Sequence, residues 1–389
     1  MNMWFWFFDT DGNRRTAPLV SWFNGGPAAF MIGLFSKNGP CQFYNNDTKP
    51  SLNPYSFNEH ANMVYIDQPV GVGSSYGAPC CNSTGTASIH VWNLIQAFNG
   101  EFPEYGSREF GIFGESYGGR YLPLFANEVL NKNNGIANGT VNGTHVNLTT
   151  LGINDGTHDA KIWYRALIDY AHDNPYRQLP NDSMVEEYIA NYQETCLPLL
   201  DECYETGADD VSYDGYCTFS TNVISWLEEI NSSDFRLPLD ADAPLDIWVD
   251  YLYHVRSSAI VLPGVIDAGV NNLLWTGDAD VICSWVANSR GADSIAWSKH
   301  AEFNSTSLGS YTVNGTEKGQ FKNADNFSYM RVYVAGHMIM YYGTYQPEHE
   351  IGAWFLSREV PKKLMDSIEP EAWLQVFKQM LIYGKPSST

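Results

Sequence analysis

The chain has 389 residues, 44% hydrophobic and 14% aromatic, enough to bury a large core. Its formal net charge of -22 argues against nucleic acid and anionic membrane surfaces as partners, and suits a compartment acidic enough to protonate many carboxylates. No apolar run reaches the roughly 18 residues that a membrane span requires.

In chain order, residues 3–8, 18–23 and 62–67 read as short buried strands separated by turn signals. Residues 88–100 carry helical spacing through Ile89, Val91, Trp92, Leu94, Ile95 and Phe98. A strand at 110–113 is followed by a helix from Gly118 to Val129, and another strand is predicted over 147–155. Residues 156–262 change character, becoming rich in Tyr, Asp and Asn with helical patches such as "MVEEYIANYQ". Strand patterns resume at 270–280 and 328–337. Alternating strands and helices predict an α/β fold with a mainly parallel sheet covered on both faces. The expected division is a first part of the core at 1–155, an inserted helical cap at 156–262, and a second part at 263–389.

Ten Asn-x-Ser/Thr sequons lie at Asn46, Asn82, Asn138, Asn142, Asn147, Asn181, Asn231, Asn304, Asn314 and Asn326. Their density favours a secreted or vacuolar glycoprotein. Cys41, Cys80, Cys81, Cys196, Cys203 and Cys217 lie in turn-rich regions and could form three disulfides, leaving Cys283 as the odd thiol. No cysteine pair has metal-ligand spacing, which argues against zinc; no cofactor is expected. The opening residues lack a basic region and a cleavage site, so no signal peptide is legible; the chain reads as starting inside the mature domain.

The chemistry centres on "GIFGESYGGRY" at Gly111–Tyr121, where a strand runs into a Gly-x-Ser-x-Gly turn. Ser116 needs a base and a carboxylate that orients the base. In α/β-hydrolases these arrive in the order Ser, Asp, His, each just past a strand. Asp280 closes "LLWTGDAD" and His337 closes "RVYVAGH", in the correct order. Asp278 competes for the acid role, and His300 and His349 compete for the base. Gly114 and Gly118 would permit the sharp turn, and the early "WFNGGP" would supply a second oxyanion amide.

"NGGP", "NGPCQF", "SLNPYSFNEHANMVYIDQPVGVGSSYG", "FPEYGSREFGIFGESYGGRY", "LWTGDADVICSW" and "NFSYMRVYVAGH" together resemble the serine carboxypeptidases, closest to fungal members, from about Met3 to Tyr342. The resemblance implies the α/β-hydrolase fold and release of C-terminal amino acids from peptides through an acyl-enzyme, favoured at acidic pH. It implies Ser116 as nucleophile, His337 as base and Asp280 as its orienter, with Gly26 and the Tyr117 amide as oxyanion hole. Trp22, Asn24, Gly25 and Glu115 match positions that bind the substrate's terminal carboxylate, where a protonated Glu can donate a hydrogen bond. Cys283 matches a free thiol near the substrate pocket, and Met338 an apolar wall. The implied partner is a peptide with a free C-terminal carboxylate, met by a monomer or homodimer. An esterase or acyltransferase with the same trio is the alternative, as is a catalytically impaired homologue.

The departures from the family cluster at the site. The loop "GGPAAFM" is a residue shorter than the family's and lacks its Gly, Cys and serines. Displacing such a loop by an ångström can cost about a hundredfold in rate. Lys37 stands where the family carries a second Glu. It is either a solvated surface lysine or a partner of Glu115 or of the substrate carboxylate, which would weaken the acid preference. After His337 the chain lacks the family's Pro, and about 348–369 reads as an insertion before the family-like "EPEAWLQVFKQML". "GVGSSYG" at 71–77 is read as a turn, since it opens no helix and has no Lys.

Overall fold

A computed structural model describes residues 2–13, 15–26, 29, 31–43, 48–77, 81, 83–176, 178–206, 257–337 and 370–389. The first strand, β1 (Phe5–Phe8), is followed by β2 (Leu19–Phe23), a short helix α1 (Ile32–Ser36), and the two-residue strands β3 (Cys41–Gln42) and β4 (Ser51–Leu52). Then come β5 (Asn62–Ile66), α2 (Thr84–Glu101), β6 (Glu109–Glu115), α3 (Gly118–Ala137) and β7 (Asn147–Asn154). Helices α4 (Ala160–His172), α5 (Asp182–Asn191), α6 (Leu197–Thr206) and α7 (Leu262–Asp267) precede β8 (Asn271–Gly277). The chain continues through α8 (Trp285–Ser294), α9 (His300–Ser305), β9 (Gly309–Val313), β10 (Thr316–Ala324) and β11 (Phe327–Val332), and α10 (Pro370–Tyr383) closes it.

The described strands form a nine-stranded sheet in the order β1-β5-β2-β6-β7-β8-β11-β10-β9, plus a small β3-β4 pair. Within the large sheet the six central strands run parallel, and antiparallel pairing is confined to β1 at one edge and the β11-β10-β9 meander at the other. Central strands are buried on both faces, which explains why β2 and β5 are mostly apolar, interrupted only by Ser21 and Asn62. The expected strands at 18–23, 62–67, 110–113, 147–155, 270–280 and 328–337 are all present. The expected helices begin earlier or run longer than their apolar spacing indicated.

Helix α2 starts at Thr84, five residues ahead of Ile89, its first periodic apolar residue, because Ser83 and Thr86 form a reciprocal capping box. Helix α3 runs on to Ala137 despite Pro123, which lies in its second turn. Four strands were not anticipated, the two-residue β3 and β4 and the longer β9 and β10. β9 and β10 pair through a turn at Asn314 (φ 51°) and Gly315 (φ 76°), an Asn-Gly hairpin whose left-handed residues match strand twist.

One face of the sheet packs on α2, α3 and α7 through Val91, Ile95, Leu122, Phe125 and Val265. The opposite face is covered by α10, whose Trp373, Val376, Phe377 and Met380 are buried against Trp22, Phe57 and Phe113. Phe377 stacks on Phe57 at 3.7 Å between ring centroids and meets Phe113 edge-on at 5.2 Å. Such pairs contribute about 0.5–1.5 kcal/mol beyond the area they bury. The region expected as an insertion at 348–369 lies outside the described residues. Between β7 and β8, helices α4 to α6 share their own apolar cluster, centred on Tyr164, Leu167, Tyr192 and Leu200. "GVGSSYG" is a turn, with Asp67 accepting from the Ser74 amide at 3.0 Å.

Candidate active site

Parallel strands end at one side of the sheet, and the loops that leave β2, β6, β7, β8 and β11 there converge. Ser116 follows the last residue of β6 and adopts φ 57°. A left-handed non-glycine residue costs about 1–3 kcal/mol and persists only where its surroundings over-determine it. Here the Ser116 amide donates to the Asn154 carbonyl (2.8 Å), and its carbonyl accepts from the amides of Gly119 (2.9 Å) and Thr157 (3.1 Å). The strained residue is thus pinned between the end of β7 and the first turn of α3.

Glycine is required on both sides of that turn, though not quite where the sequence pattern placed it. A Cβ at Gly114 would lie 2.4 Å from the Phe23 carbonyl oxygen, and one at Gly119 would lie 2.5 Å from the Thr157 amide. At Gly118 the nearest atom would be 3.4 Å away, an ordinary contact. The tight approach on the helix side therefore belongs to Gly119 rather than Gly118. Gly25 is closer still to the chemistry, since a Cβ there would meet Ser116 Cβ at 2.5 Å and Oγ at 3.0 Å. The backbone after β2 thus lies directly against the serine, with Gly26 (φ 110°) next in line. Tyr117 precedes α3, so its amide sits at the positive end of that helix dipole. Pro27, Ala28 and Phe30 of the shortened loop lie outside the described residues.

His337 follows β11, and its Nδ1 lies 2.7 Å from Asp280 Oδ2. The other Asp280 oxygen accepts from the amides of Ile282 (2.8 Å) and Cys283 (3.1 Å), fixing the carboxylate. Burial lowers the basicity of His337, but the charge and hydrogen bond of Asp280 outweigh it, and its pKa lies above the ordinary 6.5. Ser116 Oγ and His337 share no hydrogen bond here. Such bonds often form only once substrate is bound. Cys283 is fully buried, and its thiol hydrogen-bonds with Ser116. Burial, then the negative charges of Asp280 and Asp155, raise its pKa well above 9.0, so it stays a neutral thiol.

The competing residues have other partners. Asp278 accepts from the Val334 amide (2.7 Å) and the Tyr176 hydroxyl (2.6 Å) through one oxygen, and pairs with Arg331 (3.0 Å) through the other. Val334, a β-branched residue at φ 57°, is held in that conformation three residues before His337. Asp278 therefore braces the histidine loop instead of orienting the histidine. His300 bonds to the Ile295 carbonyl at 2.7 Å in α9, and His349 lies outside the described residues.

Sequence reasoning overlooked Asp155. It follows β7 at φ 43°, is fully buried, and accepts from the Gly277 amide at 2.9 Å at the root of the Asp280 loop. Its other oxygen has no partner among the described residues. Burial, then the nearby Asp280 charge, push its pKa well above 3.8. No sequence motif marked it, because its significance depends on a loop 122 residues away.

The surface reading of Lys37 is overturned. Its side chain is 2% exposed, and its ammonium pairs with the Glu115 carboxylate, itself 6% exposed. The Lys37 carbonyl is held by the side-chain amides of Gln42 and Asn53 (3.0 Å from Asn53). Asn24 lies close in the same wall. Its Oδ1 accepts from Trp22 Nε1 (3.0 Å) and the Gly33 amide (2.8 Å), which orients its amide nitrogen as the remaining donor. Met338 lies outside the described residues.

Cys41 is a free thiol, which corrects its assignment to a disulfide; the two-residue strand β3 holds it in a short hairpin with β4. Cys81 and Cys196 are disulfide-bonded, while Cys80, Cys217 and the side chain of Cys203 lie outside the described residues. Sequons at Asn138, Asn142, Asn147, Asn181, Asn304 and Asn314 are exposed. At Asn326 the side-chain nitrogen is committed to the carbonyls of Ile266 (2.8 Å) and Val270 (2.6 Å), so it is not a free glycan acceptor. Asn46, Asn82 and Asn231 lie outside the described residues. None of the described helices is long and apolar enough to cross a membrane.

The serine carboxypeptidase profile of peptidase family S10 matches residues 1–242 and 246–356. Carboxypeptidase S1 of Penicillium janthinellum is 42% identical over 423 aligned positions, spanning 100% of this chain and 94% of that protein. Carboxypeptidase Y of Komagataella phaffii is 29% identical, with 87% of this chain and 70% of that one aligned. Among solved structures, Kex1(delta)p, a prohormone-processing carboxypeptidase from Saccharomyces cerevisiae, superposes with a TM-score of 0.72 at 21% identity. That superposition covers 90% of this chain and 84% of the other, and supports the fold.

Proposed function

The chain belongs to the serine carboxypeptidase family, and from this we propose that Ser116, His337 and Asp280 release C-terminal amino acids from peptides through an acyl-enzyme. The observation that carries the residue assignment is the 2.7 Å contact between His337 and Asp280, at a strand end facing the Ser116 turn. His337 takes the Ser116 proton as Oγ attacks the last peptide carbonyl. The amides of Gly26 and Tyr117 receive the developing oxyanion. The C–N bond then breaks, and His337 returns the proton to the departing amino acid. Water attacks the ester, gives its proton to His337, and restores Ser116. Asp280 holds the imidazole in the tautomer that leaves the other ring nitrogen free to act.

Trp22, Asn24, Gly25 and Glu115 form the wall that meets the terminal carboxylate in this proposal, with Cys283 and Met338 beside the leaving residue. The described helices α4 to α6 belong to a cap region, and the enzyme works as a monomer or homodimer without a cofactor. Exposed sequons and the disulfide-bonded Cys81 and Cys196 support a secreted or vacuolar glycoprotein. The test combines two readouts. An organophosphonate should label Ser116, and blocked dipeptides should yield free amino acids. Well-folded protein that is neither labelled nor active would reject the assignment.

A further inference from the structure

We infer that the Lys37 ammonium, held by Glu115, is the charge that binds the substrate's terminal carboxylate. The inference rests on the proposed carboxypeptidase site and deepens it.

A peptide acid must bring a full negative charge to within one residue of the scissile bond. The strand ends there already carry Glu115, Asp155 and Asp280, in a chain whose net charge is -22. Burying a further carboxylate among these groups is costly unless a cation receives it. Lys37 is such a cation. It pairs with the residue immediately before Ser116, and its charge is felt at both His337 and Asp155.

Its placement fits the task. The Lys37 amide donates to the Gly33 carbonyl (3.2 Å), while the Gly33 amide donates to Asn24 Oδ1 (2.8 Å). One residue thus ties the lysine to the asparagine, and Asn24 keeps its own donor for the ligand. Glu115 engages one of the three ammonium N–H groups, and no second described acceptor takes another. In this proposal the remaining donors receive the carboxylate.

This arrangement changes the expected pH behaviour. A lone glutamate beside the carboxylate would have to be protonated to bind it, which demands acid. In the Lys37–Glu115 ion pair the two charges offset each other, and the carboxylate adds as a second anion on one cation. Peptide binding then persists towards neutral pH, against the acid preference implied by the family resemblance. The titratable and charged groups facing the pair are His337, Asp155, Asp280 and Cys283.

The experiment compares a blocked dipeptide acid with its C-terminal amide, from pH 5 to 8, in wild type, Lys37→Met and Lys37→Arg. Active sites are counted by organophosphonate labelling. In wild type, KM for the acid should stay flat across the range. Lys37→Met should lower the acid-to-amide ratio of kcat/KM by about ten- to a hundredfold at pH 7, the worth of a charged hydrogen bond. The loss should be smaller at pH 5, and Lys37→Arg should recover most of it. An unchanged ratio in Lys37→Met, or a wild-type KM for the acid that climbs steeply above pH 5, overturns the inference. Should Lys37→Met not fold, the wild-type KM profile and Lys37→Arg decide the matter. Wild-type protein that folds, yet resists labelling and cleaves neither substrate, would instead reject the proposed function.

Discussion

Removing one partner of the Lys37–Glu115 pair should be costly in stability as well as in binding. Both side chains are almost completely buried, so Lys37→Met leaves a carboxylate with no counter-charge and little water. Breaking a buried pair in this way costs about 3–5 kcal/mol. Unfolding entropy of about 2.1 cal/mol/K per residue, taken over 389 residues, converts that loss to a fall in Tm of about 4–6 °C. Glu115→Gln should destabilise by a similar route, since it strands the ammonium. The double variant Lys37→Met/Glu115→Gln should regain part of the loss, because neither charge is then left alone. Scanning calorimetry at pH 7 on the four proteins measures this coupling. If each single variant melts within 1 °C of wild type, or their losses simply add, the two groups do not form a buried pair and the reasoning fails.

Three further outcomes are expected. Gly25→Ala should cut kcat by about a hundredfold or more, because its Cβ would meet Ser116 at 2.5 Å; labelling and kinetics check it, and near-normal turnover would show that the loop does not touch the serine. The His337 pKa is raised, and the base must be unprotonated, so kcat/KM should rise with pH to a midpoint above 6.5. Asp280→Asn should pull that midpoint down and lower kcat by about 10⁴; a wild-type midpoint below 6.5 would contradict the assignment. Asp155 has a folded-state pKa raised above 3.8, so its contribution destabilises increasingly as pH climbs above that value. Asp155→Asn should therefore raise Tm more at pH 7 than at pH 4, and an equal shift at both would argue that the carboxyl is already ionised in the folded enzyme.

The parallel core was legible because a strand buried on both faces is a mostly apolar run bounded by turns, as in β2 and β5. Ser116, Asp280 and His337 were legible for a related reason: each terminates such a run. Helix ends were harder to place. The start of α2 depends on a cap formed by Ser83 and Thr86, polar residues that apolar spacing ignores. The β9–β10 hairpin was missed although Asn314–Gly315 is a strong local turn signal, since β10 alternates weakly and carries Lys318 and Lys322 on its length. Lys37 illustrates a deeper limit. Whether a lysine is solvated or buried depends on its partner, and this one pairs with a residue 78 positions away. Gly119 is similar: its neighbour Thr157 belongs to another strand's loop.

The grip on the Lys37 carbonyl bears on how specificity could be moved between relatives. Gln42, beside α1, and Asn53, just past β4, hold that backbone from two directions, while Gly33 links it to Asn24. The ammonium is thus presented by a cassette that includes Gly33, Gln42 and Asn53, not by one side chain. Grafting a lysine alone into a glutamate-bearing relative would import the charge without its posture. Transplanting the cassette would carry both.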